Sequence, residues 1–219
     1  AEDPKAILEK SDRSRGGISS GISWKITLAA GESQNSEYDV KVKGVNVLAK
    51  CTEPARQKGE TFLFNDRNLW IHKPGLKKPV SLSPRQRLSG QAANGDIATT
   101  NYARDYEAKI EGEEVVGGKP AWKLFLQAKE KNVTYDKIRY WVTKKDFLGV
   151  KAEFLTLEGK PFKLATFAYG HTLPGSKIPF VSRMEIRDVA QGELTTITYG
   201  APQAEKISDS LFNVNNLQR

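Results

Sequence analysis

The sequence predicts a mainly β fold, a curved antiparallel meander with a few short helices set over one apolar face. Three observations carry this. Apolar residues recur with period two through most of the chain, which is the alternation of half-buried strands. Turn-forming pairs punctuate these runs: Asn65-Asp66, Gly117-Gly118, Glu158-Gly159 and Gln191-Gly192. Only the first segment reads convincingly as a helix.

That helix starts at Asp3, a good N-cap, with Pro4 in the first helical position. Ala6, Ile7 and Leu8 give it a short apolar stripe, and Gly16-Gly17 end it. Strand patterns follow. Ile22, Trp24, Ile26 and Leu28 alternate with polar neighbours, and so do Tyr38, Val40 and Val42. At Gly44 the phase slips, and Val45, Val47 and Ala49 continue on odd numbers; a glycine at a phase slip predicts a bulge or bend. Phe62 and Phe64 come next, then Trp122, Leu124 and Leu126, then Ile138, Tyr140 and Val142. Val150, Ala152 and Phe154 precede Phe162 with Leu164, Met184 with Ile186, and Ile197 with Tyr199. No repeat, low-complexity tail or linker divides the chain, so one domain over residues 1–219 is expected. The C-terminal stretch ISDSLFNVNNLQR fits a short coil or a helix equally well.

The segment ETFLFNDRNLWIHKPGLKKPVSLSPRQRLSGQ, residues 60–91, is the most informative. With a four-residue loop at Asn65–Asn68, Phe64 faces Leu69 and Phe62 faces Ile71, all on one side. Leu63, Trp70 and His72 fall on the other. The first face needs a cover. Ser83-Pro84-Arg85-Gln86 has the form of a capping box, so a short helix closed by Gly90 is expected there. The run from Gln91 to Tyr106 is small and polar, a structureless loop or lid. Two short helices are too little to fill a wide concave face, and a large exposed apolar patch is rare. A partly filled, lidded apolar cavity lined by Trp24, Phe62, Phe64, Leu69, Ile71 and Trp122 reconciles these facts. A closed barrel filled by side chains, or a sandwich of two sheets, would share the same patterning.

Composition narrows the function classes. The chain has 219 residues and no run near the 18 or so apolar residues of a membrane-spanning helix. Its net charge is +8, which permits nucleic acid, anionic lipid or an acidic protein as partner. The start Ala1-Glu2-Asp3, with Met184 as the sole methionine, fits the mature end left by a signal peptidase, so export is expected. Cys51 stands alone in an apolar strand pattern, an inert buried thiol.

No catalytic pattern occurs. His72 and His171 with one cysteine make no zinc set, and no nucleophile elbow, phosphate loop or dinucleotide glycine pattern is present. The glycines of EEVVGGKP belong to a tight hairpin. Asp96 and Asp105, the only carboxylates that suggested an acid–base pair, read as solvated or capping residues. No enzyme activity, cofactor or metal is expected. Lys77, Lys78, Arg85 and Arg87 form a basic cluster near Tyr102. Nucleic-acid binding wants exposed aromatics beside such a cluster, whereas the aromatics here follow strand parity. The cluster is instead assigned, with Arg56 and Leu88, to a lid or a surface that meets anionic lipid headgroups or an acidic partner.

The order of motifs in KGETFLFNDRNLWIHKPGLKKPVSLSPRQRLSGQAANGDIATTNY resembles the central segment of the LolA-like superfamily of outer-membrane lipoprotein-sorting proteins. The segment YDKIRYWVTKKDFLGVKAEFLTLEGKPFKLATF is similar to the family's second half, and the resemblance spans roughly Ser20 to Tyr199. It implies a strongly curved, incomplete antiparallel barrel with helices as a lid, in a periplasmic protein. It further implies a hydrophobic cavity that holds lipid or lipoprotein acyl chains, passed between an inner-membrane exporter and an outer-membrane acceptor. An adaptor that accompanies a large envelope exporter is the other role it allows. Arg56 is the position it offers for the family's functional arginine at the cavity mouth.

Overall fold

The computed structural model describes residues 2–217. Ala1, the expected mature end, and Gln218 and Arg219 of the C-terminal stretch lie outside the described residues. Helix α1 spans Pro4–Arg13; the Asp3 side chain accepts from the Lys5 amide and Pro4 opens the first turn. It buries Ile7, Leu8, Ser11 and Asp12. The turn after Arg13 is carried to Gly16, whose φ of +98° suits glycine, and the Gly17 amide closes back on the Asp12 carbonyl.

The strands of the first half are β1 (Ile22–Ala30), β2 (Ser36–Lys43), β3 (Asn46–Glu53), β4 (Thr61–Asn65), β5 (Asn68–His72) and β6 (Val80–Leu82). A small separate hairpin, β7 (Arg87–Ser89) with β8 (Ala92–Ala93), follows, then helix α2 (Tyr102–Asp105). The second half has β9 (Tyr106–Val116), β10 (Lys119–Ala128), β11 (Lys137–Thr143), β12 (Gly149–Leu155) and β13 (Pro161–Ala168). After the short pair β14 (His171–Thr172) and β15 (Pro179–Phe180) come β16 (Arg183–Asp188), β17 (Leu194–Tyr199) and β18 (Gln203–Ala204). The main sheet runs β6-β5-β4-β3-β2-β1-β17-β16-β13-β12-β11-β10-β9, with β18 on β1, and every pairing is antiparallel. The chain meanders outward from β1 to one edge, crosses to the far edge, and meanders back until β17 pairs with β1. The two edge strands do not pair, so the sheet is an unclosed barrel, and the side-chain-filled closed barrel and the two-sheet sandwich are both excluded.

Register turns the alternation into continuous inner rows. Ile22, Val42, Val47, Phe64, Leu69 and Leu82 succeed one another across six strands. The next row is Trp24, Val40, Ala49, Phe62, Ile71 and Val80. The pairs Phe64–Leu69 and Phe62–Ile71 are those the loop length predicts. Each row is buried until the edge, where Val80 is 48% exposed. Leu63 and Trp70 face outward, where Ile207, Leu211, Phe212, Val214 and Leu217 cover them. The C-terminal stretch is thus two 3-10 turns, Asp209–Phe212 and Val214–Asn216, pinned by Asn65 donating to the Phe212 carbonyl at 2.9 Å. Cys51 is buried, and burial pushes its thiol pKa up, which keeps it inert. Among the described residues no helix is long and apolar enough to cross a membrane.

Three local expectations change. Gly44, at φ +63°, is not a bulge but half of a two-residue hairpin turn, with Lys43 paired to Asn46. Such a turn always pairs an even with an odd position, which accounts for the phase slip. The capping-box bonds at Ser83 do form, but around a turn rather than a helix. The Ser83 amide donates to Gln86 Oε1 at 3.1 Å and the Arg85 amide to Ser83 Oγ at 3.2 Å. Arg87–Ser89 then pair with Ala92 and Ala93, and Gly90 (φ +55°) makes their turn. The stretch from Gln91 to Tyr106 is not structureless either. It contains β8, a 3-10 turn at Asn94–Ile97 and α2, and it buries Ala92, Ala93, Asn94, Ile97, Thr100 and Ala103 against the concave face.

Candidate functional site

The segment Ser83–Ala98 lies across the concave face and divides what space is left there. On one side it presents Gln86, Arg87, Leu88 and Asn94 to an open groove of about 450 Å³. On the other it presents Pro84, Gly95 and Asp96 to a cleft of about 90 Å³. The volume of the groove falls in the range of small-molecule sites, about 300–1,000 Å³.

Phe62 and Ile71 form the groove's floor, with Tyr38 and Leu82 beside them. Its rim is basic: Arg56, Lys73 and Arg87, with Glu60 as the acidic member. Of the twelve sequence-predicted residues this brings together Phe62, Ile71, Arg56, Arg87 and Leu88. Phe64 lines the smaller cleft instead. Leu69 is 1% exposed beneath the cover. Trp24 is packed on Phe180 with ring centroids 5.3 Å apart, and Trp122 lies on β10 against Phe147 at 5.5 Å. The expected grouping of both tryptophans with the hairpin is therefore split over two halves of the sheet. Lys77 and Lys78 sit on the exposed β5–β6 loop, next to Leu76, 44% exposed.

Arg85 is not the free surface cation the sequence suggests. Its guanidinium meets both Asp136 oxygens, at 2.7 and 2.5 Å, and donates to the Val133 and Lys131 carbonyls. It fastens the cover to the β10–β11 connection. Other polar ties do the same: the Gln91 amide donates to Thr195 Oγ1 at 2.8 Å and Lys163 to the Gln91 carbonyl at 2.8 Å. A side chain at Gly90 would run into Thr195 and Ala30.

Beyond the partition lies a polar cluster that sequence reasoning missed. Arg15, on the loop after α1, enters the concave side and lines the small cleft. Its Nη1 donates to the Tyr140 hydroxyl at 3.0 Å. Its guanidinium carbon lies 4.1 Å from the Phe167 ring centre and 5.4 Å from that of Tyr102. Tyr169 donates to the Gly149 carbonyl at 2.6 Å, and a side chain at Gly149 would collide with Tyr140. Burial raises the phenol pKa of Tyr102, Tyr140 and Tyr169, and that of Tyr199 to about 12, so all four are neutral donors. Tyr102, expected beside the basic cluster, is thus inside, edge-on to Tyr106 and Tyr140. The signal available in sequence was inner-parity tyrosine: Tyr140 and Tyr199 must satisfy a hydroxyl wherever they are buried.

Asp12 and Asp96 border this cluster. Asp12 Oδ2 accepts from the Ala103 amide at 3.0 Å, while Oδ1 is buried without a partner. Burial pushes its carboxyl pKa up to about 8, against the opposing pull of the Ala103 amide and Arg15. Asp96 Oδ2 accepts from the Ala93 amide and from the Tyr135 hydroxyl, both at 2.8 Å. It caps, as expected, but in a buried network rather than in solvent; burial raises its pKa, opposed first by Lys163. Burial lowers the Lys163 pKa in turn, and its ammonium donates to the Gln91 carbonyl at 2.8 Å. Asp105 is held by Arg67 and Arg104. Each of the two carboxylates weighed as an acid–base pair is thus committed to structural partners.

Comparison with known proteins places this architecture. A LolA superfamily protein of Nitrosomonas europaea is 30% identical, covers 97% of this chain and 98% of its own, and superposes with a TM-score of 0.86. The chain belongs to the LolA superfamily. A family model described as an uncharacterized protein matches residues 43–219. Two further solved structures share the fold. A Vibrio parahaemolyticus domain named for outer membrane lipoprotein sorting is 19% identical, covers 99% of this chain and 98% of its own, and has a TM-score of 0.83. A DUF1329 family protein of Desulfovibrio piger is 21% identical, covers 99% and 100%, and has a TM-score of 0.80. No curated protein matches significantly. The resemblance read from the motif order is therefore confirmed at the level of superfamily and fold.

Proposed function

We propose that this LolA superfamily member is a single-domain, non-catalytic carrier in the periplasm, which holds lipid or a lipoprotein acyl chain against the groove floor. One observation carries the reading: the inner apolar row of β4 and β5 underlies an open groove at Phe62 and Ile71, 3% and 7% exposed, beside a cover fastened by polar contacts. An acyl chain on that floor gains roughly 0.8 kcal/mol per buried methylene. Lifting the cover breaks its hydrogen bonds and one ion pair and exposes Ala92, Ala93 and Ile97, a cost that the incoming chain must offset. Loading from an exporter in the inner membrane and release to an acceptor at the outer membrane supply the competition that a tight binder needs. The carrier uses no cofactor, metal or nucleic acid. The exposed Leu76 between Lys73 and Lys77-Lys78 suits brief contact with an anionic membrane surface.

A second reading, an envelope adaptor docked on an exporter complex, is favoured by how completely the rest of the concave face is filled. Native mass spectrometry of freshly purified protein, with uptake of a fluorescent fatty acid, separates the two. Co-purified lipid or saturable uptake is expected, and uptake should disappear in Phe62→Glu; a cooperative melt is expected because Arg56, Lys73 and Arg87 line the same groove and supply cations for the new carboxylate. A lipid-free mass together with no uptake favours the adaptor.

A further inference from the structure

Arg15 is a cation without an anion. Among the described residues it makes no ion pair, and its hydrogen-bond partners are phenols, Tyr140 and Tyr102. The other acidic groups at the cleft are accounted for. Asp66 is held by Arg104, Asp105 by Arg67 and Arg104, and Asp96 by the Ala93 amide and Tyr135. Asp12 directs one oxygen to Ala103 and leaves the other unbonded rather than paired with Arg15. Arg15 is partly buried at the cleft, with the rings of Phe167 and Tyr102 against its guanidinium. Arginine is the side chain whose planar fork suits a two-oxygen anion.

The space fits. The cleft of about 90 Å³ in front of Arg15 is well above the roughly 10–15 Å³ that a single water needs. That leaves room for a carboxylate or a phosphate. Thr99, Thr100, Asn101 and Tyr102 line the same cleft and add polar partners. On the far side of the Ser83–Ala98 cover lies the groove, with an apolar floor at Phe62 and Ile71 and mostly polar walls. The cleft itself sets the Arg15 guanidinium among polar residues and Val45, Val47, Phe64 and Val133.

We propose that Arg15, with Tyr102 and Tyr140, receives the anionic headgroup, a carboxylate or phosphate, of the lipid whose chain occupies the groove once the cover lifts. The inference rests on the carrier reading and adds that neutral lipids are poor cargo.

The test compares binding of hexadecanoate, hexadecanol and inorganic phosphate at pH 9, by calorimetry and thermal shift, in the wild type and Arg15→Gln. Arg15→Met is the second variant, since it keeps an apolar stem against Phe167; the wild-type ratio of hexadecanoate to hexadecanol affinity needs no variant. Hexadecanoate should bind at least tenfold more tightly than hexadecanol. Arg15→Gln should weaken hexadecanoate ten- to a hundredfold, on the order of one charge-assisted hydrogen bond, and leave hexadecanol unchanged. Equal wild-type affinities, or a preference that survives both substitutions, overturn the headgroup site and leave the carrier intact. Phosphate stabilisation that depends on Arg15, with no uptake of either lipid, assigns the pocket to a free anion and overturns both the headgroup assignment and the carrier. If none of the three binds, both readings fall.

Discussion

The groove over Phe62 and Ile71 and the cluster around Arg15 lie on the same concave face, yet they are built in opposite ways. At the cluster, strands of seven or eight residues meet α1 and α2, and the rings of Tyr102, Tyr106, Tyr140 and Phe167 pack edge-on around a cleft of only about 90 Å³. At the groove the sheet is running out. β5 has five residues, β6 has three, and the inner rows end in partly buried Leu82 and exposed Val80. The same period-two pattern therefore yields a packed core in one place and an accessible floor in another. What differs is the match between strand length and cover. In an unclosed barrel, space for a ligand arises where the sheet edge outruns the elements laid over it.

The largest effect expected from this contrast is on stability. Phe154 is fully buried and stacked on Tyr135 at 3.7 Å, so Phe154→Ala should cost about 3–5 kcal/mol. Phe62 is 3% exposed but lines the groove, where the structure can close over a lost ring, so Phe62→Ala should cost less. Denaturant midpoints for the two variants measure the difference, and equal losses would make the groove floor ordinary core.

A smaller effect concerns pH. Asp12 has its carboxyl raised to about 8 in the folded protein, so the native state holds that proton more tightly than the unfolded chain does. Its contribution is fully present below pH 4 and is lost as pH rises through 8. Asp12→Asn keeps an acceptor for the Ala103 amide and removes the titration. The variant should match the wild type near pH 4 and exceed its stability at pH 9, by a few kcal/mol at most. Melting curves across that window decide it; parallel wild-type and variant profiles would show that Asp12 is solvated rather than trapped.

The smallest effect leaves the fold untouched. Lys77→Glu with Lys78→Glu should not move the melting temperature, since both lysines are exposed. Binding to anionic vesicles should weaken severalfold and lose most of its salt dependence. Vesicle flotation at low and high salt reads this, and unchanged flotation would remove the β5–β6 loop from any membrane contact.

How much of this was legible in the sequence depended on the range of the interaction involved. The hairpin register at Phe62–Ile71 and the cap at Asp3 are local, and both follow from spacing. The Ser83-Pro84-Arg85-Gln86 signature is local too, but its hydrogen bonds are common to a helix start and a β-turn. What selects the turn is the pairing of Arg87–Ser89 with Ala92–Ala93 and the anchorage of Arg85 on Asp136, 51 positions away. Arg15 was invisible for the same reason: its partner Tyr140 lies 125 positions along the chain. A polar residue between a helix and two glycines carries no mark of the rings that will enclose it.

The central seam of the sheet has a consequence for how the molecule is made. β1 and β17, at opposite ends of the chain, are neighbours in its middle. The outer strands can pair with sequence neighbours as they emerge, in hairpins of low closure entropy. The seam must wait until Leu194–Tyr199 exists. Until then β1 and β16 are both bare edges with buried-type inner faces, open to any passing strand. Synthesis therefore passes through a stage with two half-sheets and no middle, and folding should be slow for a chain of this size. A chain cut before Leu194 would keep both meanders but have nothing to join them.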